Sequence, residues 1–184
     1  MTAQPADIVG FWRAAGPKRW FAKDDAFDEA IRLKFEATHH AAARGEYDDW
    51  AETPDGALAL LILLDQFPRN LWRGSPHAYA TDPLALRIAR EAVQRGRDRA
   101  VDPELRAFFY LPFEHSEDMA DQAEGVALCE AQARETGDES FAKWARAHRD
   151  IVARFGRFPH RNRALGRETT AQEQAFLDGG GFSG

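Results

Sequence analysis

Ala57-Leu58-Ala59-Leu60-Leu61-Ile62-Leu63-Leu64-Asp65-Gln66-Phe67-Pro68 is the stretch whose reading decides the fold. Residues 57–67 are apolar almost all round, which predicts a helix enclosed by neighbours on several sides rather than one lying on a surface. The unbroken apolar run stops at Leu64. A membrane span needs about 20 apolar residues, so the run is a buried core element and no membrane partner is expected. Pro54 or Asp55 starts this helix, and Pro68 is expected to end it.

Helical signals continue on both sides. Asp7 can cap a first helix carrying Ile8, Phe11 and Trp12, closed by Gly16-Pro17. Asp24 or Asp25 opens a long helix on which Phe27, Ile31 and Phe35 recur every fourth residue. It reaches about Arg44, and Gly45 stops it. Asp82-Pro83 and Asp102-Pro103 each read as a cap followed by proline at the first helical position. Leu84, Ala85, Ile88, Ala89 and Ala92 line the buried side after the first pair, and Leu105, Phe108 and Phe109 follow the second. A further helix runs from near Ser116 to about Glu135. The next, capped by Asp138, carries Phe141, Trp144, Ala145, His148, Ile151, Val152 and Phe155 on one face. Thr170 with Glu173 forms a capping box for a last helix, and residues 179–184 are expected to be a flexible tail.

No stretch alternates with period two. The expectation is an all-α fold of about eight or nine helices, paired as antiparallel hairpins because the connections are short. No shift in composition marks a boundary, so residues 1–184 are expected to form one domain. Hydrophobic residues make up 44% and charged residues 29%, with a formal net charge of -6 and a pI near 5.5. A nucleic-acid surface normally needs a basic face, so that partner class is disfavoured. There is one cysteine, Cys129, hence no intrachain disulfide. The first residues lack a basic region followed by an apolar one, and a cytoplasmic location is expected. The aromatic residues suit a core or a dimer face equally.

Three segments carry the chemistry: Asp65-Gln66-Phe67-Pro68-Arg69-Asn70, Leu111-Pro112-Phe113-Glu114-His115-Ser116-Glu117-Asp118, and Phe155-Gly156-Arg157-Phe158-Pro159-His160-Arg161-Asn162. Together with Ala80-Thr81-Asp82-Pro83 and Leu165-Gly166-Arg167 they resemble a bacterial family known as domain of unknown function 924. The resemblance runs over nearly the whole chain. It implies an all-helical fold grouped with tetratricopeptide-like hairpins, and it implies no activity. The usual tetratricopeptide repeat of about 34 residues cannot be laid along this sequence. A compact, closed variant is therefore expected rather than an open superhelix.

The three segments are expected to meet as a polar centre. Asp65, Gln66, Arg69 and Asn70 would come from the first, and Glu114, His115, Asp118 and Gln122 from the second and the helix after it. Arg157, His160, Arg161 and Asn162 would come from the third. Residues 151–167 hold Arg154, Arg157, Arg161, Arg163 and Arg167 with no acid, and the acids of residues 114–124 are their expected partners. His148, on the apolar stripe of its helix, reads first as a core histidine with a satisfied ring. Three functions fit. One is a module binding a small anionic ligand or acidic peptide end through Arg69, Arg157 and Arg161. Another is an acid/base hydrolase using His115 with Asp118 or Glu114. The third is a scaffold whose ion pairs are wholly structural.

Other chemistries have less support. His115, Asp118, His148 and His160 include no paired motif of the His-Glu-x-x-His kind, so no metal and no cofactor is expected. Cys129 has no basic neighbour to activate it, and no glycine-rich phosphate loop is present. Phe67-Pro68-Arg69-Asn70 and Phe158-Pro159-His160-Arg161-Asn162 echo each other with a one-residue offset, through duplication or chance.

Overall fold

Pro5, not Asp7, opens the first helix. In the computed structural model, which describes residues 3–182, α1 spans Pro5–Ala15. Asp7 sits in its first turn, where its carboxylate accepts the Gln4 N–H at 2.8 Å. A proline at the first helical position presets φ, and its missing N–H is one that a helix start leaves unused. The chain continues through α2 (Pro17–Trp20), α3 (Asp25–Ala43), α4 (Pro54–Leu61), α5 (Phe67–Leu71) and α6 (Asp82–Gln94). Then come α7 (Leu111–Glu114), α8 (Met119–Thr136), α9 (Ser140–Phe155) and α10 (Ala171–Asp178), with short 3-10 turns in the connections. Among the described residues there is no strand, so the fold is all-α. No described helix is long and apolar enough to cross a membrane. Asp102-Pro103 yields only turns and a 3-10 segment, Arg106–Phe109. An α-helix continued from there would run into Pro112, whose ring and missing N–H oppose it.

The chain divides into two units, Met1–Arg73 with His77–Pro112, and Gly74–Pro76 with Phe113–Gly184. In the N-terminal unit α4 is the central helix, with residues 56–64 all buried. Around Trp12 gather the rings of Trp20, Phe27, Phe67 and Phe108, with centroids 5.6–6.2 Å away, within the range of favourable aromatic pairs. The Trp20 indole N–H donates to the Trp12 carbonyl at 2.7 Å, so this buried ring is also satisfied.

Pro68 does not end the central helix. The chain widens into one π-turn, Ile62–Gln66, and resumes as α5 with Pro68 in its first turn. The Phe67 N–H reaches back five residues to the Ile62 carbonyl. Pro68 has no N–H to offer Leu64, and the Thr81 hydroxyl donates to that carbonyl at 2.5 Å instead. The Leu63 carbonyl lies 2.8 Å from His39 Nδ1, and the Asp65 carbonyl accepts from the Arg69 guanidinium. Burial holds His39 below the ordinary histidine range, which suits a neutral ring donating its Nδ1–H. Buried carbonyls need donors, and here side chains from α3 and from the turn before α6 supply what the proline removed.

In the C-terminal unit α8 and α9 form a hairpin. Ile151, Val152 and Phe158 make its small core, flanked by the half-buried Phe155, Phe176 and Phe182. Gly125 on α8 lets the end of α7 approach closely. A Cβ there would lie 3.1 Å from Phe113 Cβ and 3.4 Å from Glu114 N. The tail expected over residues 179–184 is described as far as Phe182. Ser183 and Gly184 lie outside the described residues.

Replacing the hydroxyl that serves Leu64 tests the π-turn directly. Thr81→Val is expected to cost about 1–3 kcal/mol by leaving a buried carbonyl without a donor, read as a lower urea midpoint with an unchanged slope. Thr81→Ser should recover most of the loss. Equal midpoints for Val and Ser variants would contradict this.

Candidate functional site

Asp65, Gln66, Arg69 and Asn70 belong to the N-terminal unit, and the π-turn and α5 position them. Gln66 donates to Asp65. Arg69 makes two 3.0 Å bonds to Asp82 and lies 3.4 Å from Asp65. Burial opposes its charge, but the two carboxylates outweigh that and raise the guanidinium above its ordinary value. Asn70 donates to Asp28 at 2.7 Å, and Arg73 takes the other oxygen of the same carboxylate at 2.8 Å. The segment ties α5 to α3 and α6.

Residues 113–122 form a folded turn in the C-terminal unit. The Gln122 amide donates to the carbonyls of Glu114 (2.7 Å) and Ser116 (2.6 Å). Asp118 is the N-cap of α8, accepting from the Ala120 and Asp121 N–H groups, so its position serves the helix start. Ser116 donates to Asp121 at 2.7 Å. Glu117 accepts two bonds from Arg167, at 2.7 and 3.0 Å, and one from the Phe158 N–H at 2.8 Å. Burial pushes the Glu117 carboxyl up, yet Arg167 and the Phe158 N–H more than offset it, and the group sits below its ordinary value.

Glu114 turns the other way, into the interior. Its side chain is 1% exposed, and one oxygen lies 3.1 Å from His148 Nδ1. The other accepts from the Cys129 thiol at 3.3 Å. Burial first, and then the Glu114 charge, push the Cys129 thiol far up; it stays protonated as a donor and is no nucleophile. A hydrogen on His148 Nδ1 would point at Glu114, and Nε2 is then the ring nitrogen that faces away from the carboxylate. That Nε2 is buried and has no protein hydrogen-bond partner, an exception that calls for a reason in a folded protein. Around the ring stand Phe182 (4.7 Å between centroids), Phe158 (5.6 Å), His115 (6.3 Å) and Trp144 (6.4 Å). Arg161, also buried, lies with its guanidinium 4.5 Å from the Phe158 ring centre, a cation–π contact. His160 lies 5.6 Å from Phe158 and 5.0 Å from Phe182.

Two of the three expected segments are thus brought together within one unit, through Glu117, Phe158 and His148. The arginine block finds a different acid for one of its members. Arg157 grips Glu173 of α10 with bonds of 2.6 and 2.9 Å, and Asn162 adds a third at 3.2 Å. The Glu173 carboxyl is held down at about 2, chiefly by Arg157. These two residues serve as a clasp on the last helix. Phe182 borders His148 without having been singled out; Trp144, read only as part of the apolar stripe, borders it too, and Cys129, set aside as a nucleophile, shares Glu114 with it. An aromatic residue directly after a glycine run was the available signal for Phe182. Among the described residues no group of three or more His, Cys, Asp or Glu side chains has the arrangement of a metal site.

The model of a family described as a bacterial protein of unknown function, DUF924, matches residues 8–181. The chain is also similar to a solved structure from Agrobacterium tumefaciens, the protein of unknown function ATU0120. The identity is 52%, over 95% of this chain and 97% of that one, with a TM-score of 0.89. Among curated proteins none matches.

The Glu173 clasp sets an acid limit. A carboxyl depressed in the fold stabilises it above its unfolded value, 4.5, and that stability drains away as pH falls towards about 2. Arg157→Ala removes the main cause, so its melting temperature should fall less steeply with acid over that window than that of the unaltered protein. Parallel curves, from circular-dichroism melts at pH 7 down to 2.5, would contradict the assignment.

Proposed function

The chain belongs to the bacterial family of unknown function DUF924, and on that premise we propose that it binds a small anionic ligand at His148 in its C-terminal unit. One observation supports the reading above others: His148 Nε2 is enclosed without a protein partner while Nδ1 is held by Glu114. With Nδ1 beside Glu114, Nε2 is the ring atom left for a ligand. In its doubly protonated form the ring donates Nε2–H to a carboxylate or phosphate oxygen, a charge-assisted bond and so a strong one. The Arg161 guanidinium packs on Phe158, which also borders His148, and the His115 ring lies 6.3 Å from the His148 ring. The arginines first suited to this task, Arg69 and Arg157, are engaged by Asp82 and Glu173, and the imidazole takes over their part. A cytoplasmic location fits a protein whose single thiol is buried and reduced.

The same dyad favours a second reading, acid/base hydrolysis. A carboxylate that orients an imidazole is the arrangement a general base uses, with Glu114, one of the two acids expected, and His148 in the role expected of His115. Since Cys129 is locked as a thiol, water would be the nucleophile.

Calorimetric titration with acetate and with inorganic phosphate separates these readings. Binding of at least one anion is expected, weakened at least about tenfold, or about 1.4 kcal/mol, in His148→Gln. That variant keeps an amide N–H for Glu114. Saturation at 100 times the dissociation constant should raise stability by about 2.7 kcal/mol. No binding to the unaltered protein, or equal binding to the variant, would overturn the anion reading. Hydrolysis of an activated ester lost in His148→Gln would move the assignment to the enzyme.

A further inference from the structure

Phe182 is the one aromatic side chain that the tail brings onto His148. Its ring lies 4.7 Å from His148 at 65°, 5.0 Å from His160 at 84° and 6.1 Å from Trp144 at 53°. Three flat groups therefore surround a single ring at distances typical of favourable aromatic pairs. Besides these ring contacts, the segment is held by short-range backbone bonds. Beyond Gly179 the described backbone bonds are Gly180 N–H to Leu177 O at 3.2 Å and Gly181 N–H to Phe176 O at 2.9 Å. Gly180 adopts φ +79°. Gly181 runs so close over Phe176 that a Cβ would lie 2.6 Å from two ring carbons and from the Phe176 carbonyl oxygen. Any larger residue at position 181 would force the tail or Phe176 to shift.

We infer that Phe182 stands where the ring of the ligand goes: the site takes a small aromatic carboxylate, and the C-terminal tail swings aside to admit it. This rests on the anion reading at His148 and names the ligand class and the gate of that same site. With Phe182 withdrawn, the space it leaves has imidazole and indole rings at its sides, one of them the ring of His148, whose Nε2 has no protein partner. A bare anion satisfies that nitrogen but leaves the aromatic walls against water. A ring bearing a carboxylate satisfies both. While Phe182 is seated, only the fraction of molecules with the tail displaced can bind, and the apparent affinity falls by that fraction.

Benzoate and acetate serve as probes, titrated by calorimetry into the full chain. Phe182→Ala should bind benzoate at least about tenfold more tightly than the unaltered protein, with acetate affinity changed far less. Gly181→Ala, which keeps the phenyl ring but forces the tail or Phe176 to shift, should move benzoate affinity in the same direction. The gain should vanish in Phe182→Ala/His148→Gln. Equal benzoate affinity with and without Phe182, or a gain that survives loss of His148, overturns the inference. Acetate binding that depends on His148 while benzoate shows no gain would leave the anion reading standing and sink this one alone.

Discussion

A carboxylate sealed from water must be given hydrogen-bond donors by the protein, or it destabilises the fold by several kcal/mol. Glu114, at 1% exposure, is such a group, and the C-terminal unit is arranged around meeting its demand. Gly125 lets the end of α7 lie against α8. Gln122 clamps the carbonyls of Glu114 and Ser116. Cys129 from α8 and His148 from α9 then supply one donor to each oxygen. Satisfying the acid positions the imidazole, and its other nitrogen is the atom that the proposed ligand would take. Structure and candidate chemistry come from one requirement.

The N-terminal unit answers a similar demand in its backbone. Pro68 deletes one N–H from a fully buried helix, and the π-turn before it redirects the others. Thr81, His39 and Arg69 donate to the carbonyls this leaves. The Phe-Pro echo acquires a physical meaning here. In each copy proline stands in the first turn of a short helix, and the asparagine after it donates its amide to a buried or half-buried carboxylate, Asp28 for Asn70 and Glu173 for Asn162. The signature is a fastening turn, present once in each unit.

Much of the fold was legible because helices announce themselves locally. The Phe27, Ile31, Phe35 stripe, the Asp24 cap and the Thr170–Glu173 box depend on residues within a turn or two of one another, and all stand as read. Pro68 misled because its usual effect was cancelled by residues distant in sequence, Thr81 above all. At the site, the Glu114–His148 pairing was hidden in the same way. Glu114 sits among six other polar residues, and nothing local shows that it turns towards His148 while Glu117, Asp118 and Asp121 find Arg167, a helix start and Ser116. His148 was visible only as a polar residue on an apolar stripe. Arg157 was expected to face acids 40 residues earlier in the chain, and met one 16 residues later because α10 folds back along that turn.

The tautomer of His148 tests this most directly. Two-bond nitrogen–proton correlation spectra of histidine-labelled protein, recorded where the ring is neutral, report which nitrogen holds the hydrogen. The expected result is a protonated Nδ1 and a bare Nε2, with the pattern lost in Glu114→Ala. A proton on Nε2, or a ring exchanging freely between tautomers, would mean that Glu114 does not hold His148, and the site would lose its basis.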